Sequence, residues 1–203
     1  EYGIDAITIP CGYDCPPVSE VPNQRDREYF LWVGRFDPEQ KQPERFVEAA
    51  KTLPEVEFVM VGPPIEGEGA YFRRLKRDAS EVSNLRFKGF VSPDKIDEYY
   101  KQAKALVNTS VSEGFGNVFL EAWRYATPVI ALEYSLHGVI EREPVGVYAG
   151  DFEQMITAIR ELDRDPDRRT TLGTGGMTHL KDHYSMSSVV DQTEQAVFDA
   201  AGD

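Results

Sequence analysis

Tyr29-Phe30-Leu31-Trp32-Val33-Gly34 is the first regular stretch of this chain, and Arg35-Phe36-Asp37 follows it at once. An unbroken apolar run closed by glycine has the length of a strand, and its lack of alternation means that both faces are covered. Val56 to Val61 repeats the pattern and stops at Gly62-Pro63-Pro64. Between the two, Pro43 suits the first turn of a helix, and Phe46, Val47, Ala49, Ala50 and Leu53 supply its apolar face. Strand, helix, strand in that order implies a crossover and a parallel sheet.

The alternation continues toward the carboxyl end. A helix is predicted from about Ala70 to Ser80, a short strand at Leu85-Arg86-Phe87, and a helix from Pro93 to about Gln102. Ala105-Leu106-Val107, Pro128 to Ala131 and Val145 to Tyr148 read as strands. Val118 to Tyr125 reads as a helix, as do the segments from about Phe152, from Pro166 to Leu180, and from Tyr184 to Ala201. Toward the amino end, Ile7-Thr8-Ile9 is a short strand stopped by Pro10, and Cys11 to Pro17 forms a rigid turn. Residues 1–27 are therefore expected to be a lead-in linker, 28–183 a Rossmann-like α/β domain, and 184–203 a terminal helix.

Composition narrows the class. The chain has 203 residues, 41 % of them hydrophobic, enough for one core. The 35 acidic residues against 22 basic ones leave a net charge of −13, which opposes broad binding to nucleic acid or anionic membranes. The basic set is 14 Arg and 8 Lys. An acidic, Lys-poor surface fits a halophilic origin, and equally an ordinary acidic domain. The start has neither a basic head nor an apolar core, and no stretch approaches a membrane-spanning length. A cytoplasmic location is expected, with work at the inner membrane face left open. Cys11 and Cys15 do not make a disulfide scaffold or a four-ligand zinc site. His137, His179 and His183 do not make a metal set: His179 and His183, four apart, could pair on a helix but have no third ligand near, and helix-surface histidines are expected.

Ligands of open parallel sheets gather at the carboxyl ends of the strands. Gly34 and Arg35 end the first strand, with Lys41 close behind. A forked guanidinium and a mobile ammonium together suit a diphosphate, although both would also serve as solvated loop charges. Ser110-Val111-Ser112-Glu113-Gly114-Phe115-Gly116-Asn117 follows the Ala105–Val107 strand. Its glycines let a backbone approach a ligand, and Glu113 can accept hydrogen bonds from hydroxyl groups. Glu121, two helical turns further on, can take the two hydroxyls of a ribose, or be a solvated helix charge. Phe90 and Val91, after the third strand, offer an apolar surface to a base, and Phe90 is equally suited to the core.

Together these residues resemble the carboxyl-terminal, donor-binding half of retaining glycosyltransferases with the GT-B fold, group 1 or family 4. Ile9-Pro10-Cys11-Gly12-Tyr13-Asp14 is similar to the family's Ile-Pro-Asn-Gly-Val-Asp, with Cys11 in place of Asn. Val33-Gly34-Arg35 with Lys41 resembles its Gly-Arg…Lys pair. Glu113-Gly114-Phe115-Gly116-Asn117-Val118-Phe119-Leu120-Glu121 resembles its two spaced glutamates, and Ala126-Thr127-Pro128-Val129-Ile130 continues the pattern. Tyr184-Ser185 is similar to the Phe-Ser before the last helix. Tyr134 to Tyr148 departs from the family's Gly-Gly…Glu loop and is shorter, so sugar contacts there are not carried over.

The resemblance implies a transferase that takes a sugar from a nucleotide-diphosphate donor to a hydroxyl acceptor with retention. Arg35 and Lys41 would clamp the diphosphate, and Glu113 would orient the sugar. Gly34, Phe90, Val91, Gly114, Phe115, Gly116, Asn117, Val118 and Glu121 would hold the donor. It implies no required cofactor and, with no Asp-x-Asp signature at a strand end, no metal. The acceptor, a sugar or a lipid-linked hydroxyl, would bind an amino-terminal half absent from this sequence, together with any membrane contact. This chain alone would then be inactive. A non-catalytic nucleotide- or sugar-binding domain, or a phosphorylase or epimerase of the same fold, is the alternative.

Overall fold

The computed structural model describes residues 11–201, with side chains described through Phe198. The Ile7–Ile9 strand and its Ile-Pro signature therefore lie outside the described residues. Six strands alternate with helices: β1 Tyr29–Val33, α1 Pro43–Thr52, β2 Phe58–Val61, α2 Gly69–Ser80, β3 Leu85–Gly89, α3 Pro93–Gln102 and β4 Ala103–Asn108. There follow α4 Asn117–Trp123, β5 Val129–Ala131, α5 Val139–Arg142, β6 Gly146–Tyr148, α6 Phe152–Arg164, α7 Pro166–Tyr184 and α8 Met186–Ala201.

All the strand pairings are parallel, in the order β3-β2-β1-β4-β5-β6. This is the Rossmann-like α/β sheet expected from the sequence. The chain builds outward from β1 to β3, returns to lay β4 against the other side of β1, and then builds the opposite way. The crevice between the carboxyl ends of β1 and β4 is thus the topological switch point.

Strand period decides which residue serves which face. In β1, Phe30 and Trp32 join Phe46, Phe58, Met60 and Ile159 in one core layer under α1, α2 and α6. Tyr29 and Leu31 point the other way, toward Tyr100, Leu120, Trp123 and Leu180. Both faces are dry, which is why β1 reads as a continuous apolar run. Past β1 the backbone makes one more bridge, Phe36 to Pro64, and Phe36 stacks on Trp32 and Phe87 at 5.5 and 4.9 Å. Arg35 is therefore held between β1 and a buried aromatic anchor while its own side chain stays exposed.

Three expectations need correction. The last helix starts at Met186 rather than Tyr184, because Tyr184 ends α7 and packs back on the core. The stretch 1–27 is not unpacked throughout. Gln24 and Arg27 are buried, and Gln24 Nε2 donates to Ala126 O at 2.6 Å. His179 is not on a helix surface but 7 % exposed, with Nδ1 2.6 Å from Glu143 Oε2. The sequence also gave no sign of α5. It spans four residues and follows Leu136 and His137, both at positive φ, so no periodicity could mark it.

Candidate functional site

An open cleft of about 310 Å³ lies at the switch point, lined by Gly34, Arg35, Gln40 and Lys41 on one lip and by Glu113 to Val118 on the other. The first lip is the β1–α1 connection. Asp37 shapes it by accepting from the backbone N–H groups of Glu39 and Gln40, both at 2.9 Å. The second lip is the β4–α4 connection.

The lips are laced together. Val111 N donates to Gln40 O at 3.0 Å, Gln40 Nε2 to Ser112 O at 3.1 Å, and Thr109 Oγ1 to Lys41 O at 2.6 Å. Thr109 Oγ1 in turn accepts from Trp32 Nε1 at 2.9 Å, which ties the lip to the core of β1. Across this lacing, Lys41 Nζ donates to Glu113 Oε2 in an ion pair whose side chains are only 12 % and 7 % exposed. Glu113 Oε1 accepts from Ser110 Oγ at 2.7 Å and Asn108 Nδ2 at 3.1 Å. Asn108 and Ser110 are themselves buried.

The glycines of the second lip have separate reasons. Gly116 sits at φ +91°, and a Cβ there would lie 2.8 Å from the Phe119 ring, so the turn into α4 requires glycine. A Cβ at Gly114 would meet nothing within 4 Å. Its bare backbone leaves the cleft floor open rather than relieving a contact within the protein. Phe115 is half-buried and packs edge-on against Tyr184 at 5.7 Å, which supports the lip from behind.

The structure thus brings Gly34, Arg35, Lys41, Glu113, Gly114, Phe115, Gly116, Asn117 and Val118 into one cleft. It does not place Glu121 among the lining residues. Glu121 accepts from Tyr100 OH at 2.7 Å, on the side of α4 that faces α3. Burial holds its carboxyl above the usual range, with the Tyr100 hydrogen bond pulling the other way. Phe90 is 66 % exposed beyond β3 and is not a core residue, whereas Val91 is half-buried against the second core layer. Neither lines the cleft. Asn108 and Thr109 went unremarked in the sequence, and Ser110 was read only as the start of the glycine-bearing loop. Their signal was three small polar residues prolonging an apolar strand without a glycine or proline to turn it. Among the described residues no cluster of three His, Cys, Asp or Glu side chains suits a metal, and no helix is long and apolar enough to cross a membrane.

Residues 27–165 match the model of a protein family described as Glycosyl transferases group 1. The chain is 27 % identical over 176 residues to the lipopolysaccharide core biosynthesis glycosyltransferase LpsE of Rhizobium meliloti, covering 85 % of this chain and 50 % of that protein. Among solved structures, sucrose-phosphate synthase of Thermosynechococcus elongatus superposes with a TM-score of 0.80 at 27 % identity, over 96 % of this chain and 52 % of the other. Anabaena HepE, solved with UDP and glucose, superposes at 0.73 and 19 % identity, over 86 % and 49 %, a likeness of fold. The chain spans about half the length of these relatives.

Proposed function

This chain belongs to the group 1 glycosyl transferases, and we propose that it is the donor-binding half of a retaining enzyme that moves a sugar from a nucleotide-diphosphate donor to a hydroxyl acceptor. One observation carries this: Arg35, Lys41 and Glu113, from connections after two different strands, share a single cleft at the switch point of the sheet. Two cations and one carboxylate side by side suit a substrate with an anionic half and a hydroxyl-bearing half. Residues 28–183 form the nucleotide-sugar unit in this proposal, and the acceptor binds a second, amino-terminal half. The roughly half-length match to the relatives supports that division.

As the bond to the anomeric carbon breaks, positive charge grows on the sugar ring and negative charge on the leaving diphosphate. Arg35 and Lys41 oppose the second charge, and a fixed donor of this kind is worth about 3 kcal/mol in the transition state. Backbone N–H groups of Gly114 to Asn117 add to it from the other lip. Glu113 accepts from sugar hydroxyls and so orients the ring. Glu121 takes the ribose once its bond to Tyr100 is exchanged, and Phe90 and Val91 border the base beyond the cleft.

Calorimetric titration with UDP, GDP, ADP and their sugar conjugates tests this proposal. Binding of one nucleotide, weakened in Arg35→Ala and abolished in Glu121→Ala, is expected. Binding that survives both substitutions unchanged overturns the donor site.

A further inference from the structure

We propose that Lys41 and Glu113 exchange partners when the donor arrives, and that Asn108 and Ser110 are the positioning residues that make the exchange possible; this rests on the donor-site proposal above. The two oxygens of the Glu113 carboxylate have different neighbours. Oε1 is held from inside the protein by Ser110 Oγ and Asn108 Nδ2, on side chains 1 % and 5 % exposed as residues. Ser110 N also donates to Asn108 Oδ1 at 3.1 Å, which fixes the amide that faces Glu113. Among the described residues Oε2 is held only by Lys41, a cleft-lining ammonium on a flexible stem. One oxygen is anchored and the other is lent.

Both groups are nearly dry, so neither can leave its partner without a replacement. A diphosphate replaces Glu113 for Lys41, and a sugar hydroxyl replaces Lys41 for Oε2. A nucleotide sugar provides both replacements at once. A bare diphosphate provides only the first and leaves Glu113 as an uncompensated carboxylate beside the phosphate. The pair therefore discriminates in favour of the sugar-bearing donor over its nucleotide product. Anchored through Oε1, Glu113 stays in place as Lys41 swings away, so its free oxygen remains aimed into the cleft.

The test uses inorganic pyrophosphate, which needs no knowledge of base or sugar, and a double-mutant cycle of Lys41→Met and Glu113→Gln read by calorimetry. Glu113→Gln keeps an oxygen for Ser110 and Asn108 but presents no charge to Lys41. It is expected to tighten pyrophosphate binding several-fold, because Lys41 no longer has to leave a buried charged partner to meet the anion. Lys41→Met is expected to cost several-fold more affinity in the Glu113→Gln background than in the wild type, because only there is Lys41 uncommitted. Equal cost in both backgrounds overturns the exchange while leaving the anion site standing. Absence of pyrophosphate binding in all four proteins overturns the anion site and the exchange with it. Circular dichroism of each variant separates a lost site from a lost fold.

Discussion

Gly62 lies directly against Gly34: a Cβ built on Gly62 would fall 1.7 Å from the Gly34 carbonyl oxygen. The ends of β1 and β2 meet there, with Gly34 N donating to Val61 O and Gly62 N to Gly89 O. Any side chain must therefore push Gly34 aside, and Arg35 moves with it. Gly62→Ala is expected to cost about 1–3 kcal/mol, the usual range for overpacking, and to weaken anion binding as well. Urea unfolding gives the first quantity as a lower midpoint at unchanged slope. An unaltered midpoint would show that the strand ends part freely.

Glu121 should set stability and binding against each other. Its carboxyl is raised by burial, so the folded chain holds that proton more tightly than the unfolded one. The stability this contributes is complete below the unfolded value and is lost as pH rises through the folded value. Glu121→Gln escapes that loss. Its advantage over the wild type in thermal unfolding should grow from acid to neutral pH, while nucleotide binding falls. Glu121→Leu instead leaves the buried Tyr100 hydroxyl without its acceptor, at about 1–3 kcal/mol. Parallel pH profiles for the Gln variant and the wild type would refute the assignment.

Arg27 is 4 % exposed and donates to Tyr100 O, Ala103 O, Tyr125 O, Pro22 O and Thr127 Oγ1. No carboxylate takes part among the described residues, and burial pushes the group down to about 10. The fork shape is what satisfies several carbonyls at once, and lysine lacks it. Arg27→Lys is therefore expected to lose about 2 kcal/mol or more in denaturant titration, despite keeping the charge. A loss below half of that would make charge, not shape, the relevant property.

The net charge of −13 on a surface poor in lysine predicts unfolding midpoints that rise from low to molar potassium chloride, as screening relieves self-repulsion. A midpoint that stays level through the series returns the chain to ordinary acidic domains.

Much of this fold was legible because burial on both faces writes itself into composition. β1, β2 and the Ala105–Val107 centre of β4 are apolar runs, and Pro43, Pro93 and Pro166 stand at the first turns of α1, α3 and α7. The cleft was legible in its parts but not in its joins. Lys41 and Glu113 are 72 positions apart and meet only because β4 lies beside β1, a pairing that no local pattern encodes. The anchoring roles of Asn108 and Ser110 were hidden, since hydrogen-bonding capacity and burial leave no periodic trace. Arg27 and Gln24 were hidden for the same reason, in a stretch whose prolines and charges suggested an unpacked linker. Ala126, just before Thr127-Pro128, stands at φ +49°, a conformation uncommon outside glycine, and nothing in the local pattern marks that turn.

The hydroxyl of Thr109 joins Trp32 in the core to Lys41 on the lip, so the cleft has no existence apart from the paired central strands. Whatever occupies it must then act as a thermodynamic clasp on the entire chain rather than on one loop. At a hundred times its dissociation constant, such a ligand adds about 2.7 kcal/mol to global stability. Occupancy by donor would slow the opening of the sheet itself, and amide protons deep in β1 and β4 would exchange more slowly when the cleft is filled.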